Sequence, residues 1–224
     1  MATPLDLQEQ EQLDDIKRFW RQYGNLVTWT LVLVLGAFAA WNGWNWYQRD
    51  QAVKAGAMFD ELQRAAQAGD AARAARVFDD LRQRFPRTAY AQQAGLVAAR
   101  VQTDQGQAEA ARASLAWVAD NAVEDEYKAL ARLRLAAALM DAKQFEPALQ
   151  QLDAVKAPAF AALAADRRGD VLMALDRKAE ALAAYQSAWK AMDAKLDYRR
   201  VIDAKLMSLG AAPESAASAA EAAR

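Results

Sequence analysis

The chain contains no histidine and no cysteine among its 224 residues. The first absence removes the commonest general base and the commonest transition-metal ligand. The second removes thiolate nucleophiles, disulfides and thiolate metal sites, and leaves the redox compartment undecided. Charge of one sign is lacking too: 28 basic residues face 29 acidic ones, for a net charge of −1. No global field therefore draws nucleic acid or an acidic substrate. Phosphate-cradling glycine loops do not occur, since neither GxGxxG nor GxxxxGK[ST] is found. Ser114, Ser187, Ser208, Ser215 and Ser218 have no GxSxG setting, and a triad that needs histidine is impossible. Glu124, Asp125 and Glu126 cluster at an expected helix start, where they complement the helix dipole. The chain reads as a non-enzyme without cofactor, metal or small-molecule substrate, although a carboxylate-only acid/base pair stays open.

Proline and glycine are scarce, at 5 and 9 residues, and alanine, leucine, glutamine, arginine and glutamate abound. That balance favours long helices. One stretch stands apart. Tyr23 to Tyr47 carries no charge, and Leu26 to Trp41 is almost continuously apolar. With the shoulder to Trp46 it reaches about 30 Å as a helix, the thickness of a hydrocarbon core. Aromatics mark both ends, Trp20 and Tyr23 on one side and Trp41, Trp44, Trp46 and Tyr47 on the other, as at bilayer interfaces. A membrane span over 23–47 is the expectation, with a leader over 1–22. Ala37-Phe38-Ala39 resembles a signal-peptidase site, so a cleaved signal is the rival reading. The long acidic segment before it, with Asp6, Glu9, Glu11, Asp14 and Asp15, speaks against it. Lys17, Arg18 and Arg21 precede the span while Arg49 and Lys54 follow, a slight bias toward a cytoplasmic N-terminus. Gly36, Ala40 and Gly43 form a small-residue stripe on which another helix could pack; scattered small residues in a lone anchor are an equal alternative.

Beyond Tyr47 the pattern is helical throughout, and four segments align on one another. Gly69 is followed by Ala74 and Phe78, Gly106 by Ala111 and Leu115, Lys143 by Ala148 and Leu152, and Asp176 by Ala181 and Tyr185. The turn positions are spaced 37, 37 and 33 residues apart. Seven residues before three of them stand Ala99, Ala136 and Gly169, small where paired helices approach. The pattern resembles the tetratricopeptide repeat, with Pro86 as the one clear terminal proline and the usual Trp and Tyr of the first helix missing. The fold expectation is all-α: one transmembrane helix, then an α-solenoid of about four hairpins over 48–209, then a disordered tail over 210–224 rich in Ala, Ser and Glu. Phe78, Leu115, Leu152 and Tyr185 read as core, and Trp117 and Trp189 as packing aromatics. Exposed positions on the inner face of the first helices would be Gln63, Arg100, Asp104, Leu133, Met140, Asp141, Asp170 and Met173, a mixed surface suited to another protein.

The run FWRQYGN (Phe19 to Asn25), the run GDVLMALDRKAEALAAY (Gly169 to Tyr185) and the closing AKLMSL helix together resemble the YfgM family. That resemblance implies an ancillary subunit of the SecYEG translocon, anchored in the bacterial inner membrane with its C-terminal domain in the periplasm. It implies partnership with SecYEG and with a membrane-anchored periplasmic chaperone of the prolyl-isomerase type, and no catalytic residues. A cell-envelope assembly factor recruiting other components through the same repeats is the alternative.

Overall fold

A computed structural model describes residues 7–211, and all regular structure among them is helical. Contacts divide the chain into two units, one ending at Gln51 and the other beginning at Ala52. The first helix, α1 (Leu7–Gln67), contributes to both.

In the first unit α1 is apolar and solvent-facing. Trp29, Leu33, Phe38 and Trp41 are each more than 60% exposed, which in water would be strongly unfavourable. Two of the polar side chains that interrupt the stretch, Thr28 and Asn42, are internally satisfied. Thr28 Oγ1 donates to the Gly24 carbonyl at 2.8 Å and Asn42 Nδ2 to the Phe38 carbonyl at 3.0 Å. Such back-bonding one turn up is what a polar side chain needs in hydrocarbon. This helix is long and apolar enough to cross a membrane.

The second unit is a stack of helical hairpins. The end of α1 packs on α2 (Ala71–Arg84), α3 (Ala89–Asp104) pairs with α4 (Ala108–Asn121), and α5 (Asp125–Asp141) with the short α6 (Phe145–Asp153). A 3-10 turn opening on Pro158 leads into α7 (Ala161–Ala174), which pairs with α8 (Lys178–Ala191), and α9 (Arg199–Ser208) lies on α8. The repeat register explains why the chain reverses where it does. Gly69, Gly106, Lys143 and Asp176 all have positive φ, of 67°, 73°, 58° and 55°. After each one the next amide donates back five residues, from Asp70, Gln107, Gln144 and Arg177 to Ala65, Gln102, Leu139 and Leu172, at 2.8–2.9 Å. This is the Schellman termination, whose left-handed residue satisfies the otherwise orphaned carbonyls of the helix end. Asp70 then caps α2 by accepting from the Arg73 amide at 2.9 Å, and Thr88 caps α3.

The small and large residues of the repeat meet as the pattern implies. Phe78, Leu115, Leu152 and Tyr185 are buried to 4% exposure or less. A methyl group on Gly169 would run into the Tyr185 ring. Phe78 meets Trp117 edge to face at 5.3 Å, joining the first hairpin to the second. The expected tail falls, apart from Gly210 and Ala211, outside the described residues.

Candidate functional site

The first helices of the second and third hairpins leave a groove between them of about 300 Å³. Leu96 and Ala99 of α3 and Leu115 of α4 form a buried apolar floor, and Ala137 and Ala138 of α5 keep it open by being small. Thr103 spends its hydroxyl on the Ala99 carbonyl at 2.8 Å, so it presents its methyl without an unmet donor. The rim is charged. Arg100 and Asp104 stand on the α3 wall and Arg134 and Asp141 on the α5 wall. The Arg100–Asp104 pair is loose at 3.8 Å and highly exposed, so it contributes little to stability. An apolar floor between charged walls is the form of a protein-docking groove.

Of the eight sequence-derived positions, the structure brings Arg100, Asp104 and Asp141 together here. Gln63 is exposed near the end of α1, outside this groove. Leu133, Met140 and Met173 are half-buried, packed against the core. Asp170 is engaged elsewhere. Its Oδ1 accepts from the Tyr185 hydroxyl at 2.8 Å and from Lys205 at 2.7 Å. Lys205 also donates at 2.7 Å to Asp166, which is fully buried and accepts a second bond from the Tyr198 hydroxyl at 2.8 Å. Two carboxylates thus share one ammonium, and each has a tyrosine donor, which makes burial of such charge tolerable. Burial lowers the pKa of Lys205, but its hydrogen bonds to Asp166 and Asp170 outweigh that and raise it on balance. Burial, then the bonds to Asp170 and Asp166, push the Tyr185 and Tyr198 hydroxyls up. This network holds α9 and is structural in kind. The stripe of Gly36, Ala40 and Gly43 is exposed, with open space beside both glycines.

Arg134, Ala137 and Ala138 were not among the positions that the sequence pointed to. Arg134 lies seven residues before Asp141 and so on the same helix face, a signal that was available. Another concavity, of about 350 Å³, lies between the end of α8 and α9, where Arg199 stacks 3.9 Å over the Trp189 ring. Among the described residues no group of three or more acidic side chains is placed to hold a metal ion.

The sequence from 17 to 211 matches the family described as tetratricopeptide repeat-like domain. It is similar to a protein of Escherichia coli (strain K12) named ancillary SecYEG translocon subunit, 30% identical over 168 residues, or 74% of this chain and 80% of that one. A protein of the same name from Neisseria gonorrhoeae is 30% identical over 172 residues, covering 75% and 81%. One from Haemophilus influenzae is 27% identical over 168 residues, covering 75% and 82%.

Proposed function

From a chain that belongs to the family of ancillary SecYEG translocon subunits, with their tetratricopeptide repeat-like domain, we infer a membrane-tethered scaffold that works beside the Sec translocon. The observation that carries this reading is the continuity of the match, which runs from residue 17 through the apolar helix to residue 211. Anchor and repeat domain belong to one inherited unit rather than to a chance fusion.

The span over 23–47 anchors the chain in the bacterial inner membrane. Lys17, Arg18 and Arg21 keep the leader on the cytoplasmic side, so the repeat domain of 48–209 works in the periplasm, where secretory chains emerge. A membrane-anchored chaperone of the prolyl-isomerase type is its second partner there. The groove between α3 and α5 receives a partner, and tethering adds effective concentration without further contacts. The domain contributes surface and no bond chemistry. Gly36, Ala40 and Gly43 offer the anchor a face on which another membrane helix can approach closely.

A photo-crosslinking amino acid at Ala137, which is exposed in the groove, tests the reading in native membranes. Adducts with SecYEG subunits or with the chaperone are expected. Adducts confined to envelope-assembly proteins would replace the reading by its alternative, and a reporter fused after Gly210 that reports a cytoplasmic location would end it.

A further inference from the structure

Two aspartates of the groove stand where their own helices disfavour them. Asp104 and Asp141 are the last residues of α3 and α5, and a helix C-terminus carries partial negative charge that a carboxylate aggravates. Neither helix has a basic residue in its last turn. Asp141 and Arg134 have no charge partner among the described residues. The two aspartates occupy one repeat position, two residues before the left-handed turn residue. The same position in the first and fourth hairpins holds Gln67 and Ala174. The unfavourable acid is confined to the two hairpins that wall the groove. Local rules broken in one place, with only the loose Arg100–Asp104 pair as a local gain, mark a surface shaped for something outside the chain.

The charges are also ordered. On each wall the arginine precedes the aspartate, Arg100 before Asp104 and Arg134 before Asp141. First helices of successive repeats run in the same direction. On the α5 wall the basic and acidic positions are therefore about 10 Å apart along the helix. On the α3 wall Arg100 and Asp104 follow in the same order but stay within 3.8 Å of each other. Ala99, Ala137 and Ala138 between them leave room for a helix to approach at the usual 8–10 Å between axes, roughly.

We propose that the groove receives an amphipathic helix of the partner protein, lying antiparallel to α3 and α5. Basic residues in its N-terminal half face Asp104 and Asp141, and acidic residues in its C-terminal half face Arg100 and Arg134. The antiparallel sense sets the positive N-terminus of the incoming helix against the two aspartates and its carbonyl end against the two arginines. A parallel helix would bring its carbonyl end to the aspartates and be repelled. This inference rests on the groove reading given under Proposed function.

Two stapled helical peptides test it, with the same composition and the same Ala/Leu face. One carries Lys in its N-terminal half and Glu in its C-terminal half, and the other has the reverse order. Fluorescence anisotropy is measured on the full chain in nanodiscs. The first peptide should bind about tenfold tighter at low salt, with the ratio shrinking as salt screens the rim. The variant carrying Arg100→Glu, Asp104→Arg, Arg134→Glu and Asp141→Arg should reverse the preference, with circular dichroism confirming its fold. Equal binding of both peptides, no binding by either, or a preference that survives the charge swap overturns the proposal. If the peptides show no such preference while the chain still crosslinks to SecYEG in membranes, the translocon reading stands and this one fails.

Discussion

The first two hairpins and the last two solve the same packing problem with different chemistry. In the first, the turns are glycines, Gly69 and Gly106, which take positive φ without strain. Their packing rests on aromatic burial, with Phe59, Phe78 and Phe85 in one cluster and Trp117 packed against it. In the last two hairpins the turns are Lys143 and Asp176, which reach the same φ against the resistance of their Cβ atoms. The closing helix is then held through Asp166, Asp170 and Lys205 as much as through Ile202 and Leu206. A repeat fold thus fixes geometry, not the kind of force that maintains it.

Six substitutions break or sharpen that contrast. Phe78→Ala should cost about 4 kcal/mol by leaving a cavity and ending the Trp117 contact, read as a fall in the thermal midpoint of the full chain in detergent. Lys205→Met should cost about 3 kcal/mol, because Asp166 stays buried without its counter-charge. Adding Asp166→Asn should recover part of that loss, and no recovery would mean that Lys205 acts only by packing. The pH response separates the two ends. Lys205, Tyr185 and Tyr198 have folded pKa values raised above 10.5, 10.0 and 10.0. Their contribution is complete below those values and is lost as pH rises through the folded ones. Hydrogen exchange should therefore show α9 loosening above pH 10 while α2 stays protected. Gly169→Ala should cost about 2 kcal/mol by forcing the Tyr185 ring aside, again as a lowered midpoint. Lys143→Gly and Asp176→Gly should each stabilise by about 0.5–1 kcal/mol, whereas Gly69 and Gly106 have nothing to gain. Destabilisation by either would show that the side chain supplies more than its backbone strain removes.

Turn register and core were legible because both are local. A left-handed residue, an alanine five positions on and a bulky residue nine positions on recur at fixed offsets, so Lys143 and Asp176 could be placed without being glycines. Membrane compatibility of the span was legible for the same reason, as an unbroken neutral run. The role of Asp170 was not. Its register puts it on a first helix, but Tyr185 lies 15 residues away, and Lys205 belongs to a helix outside the repeat. Those pairings depend on how α9 lies on α7 and α8, which periodicity does not encode. Arg100 and Asp104 were visible on their helix face, whereas the shallow floor that gives them meaning exists only where two hairpins meet.

The cluster at Lys205 fastens a closing helix over the last hairpin. A stacked array offers at its open end the same apolar face that each hairpin offers the next, and nothing in such a face limits how many units add. By lying on α8 and spending its lysine inward on Asp166 and Asp170, α9 covers part of the face that another hairpin would use, so the last repeat is closed by a helix that does not belong to the repeat pattern.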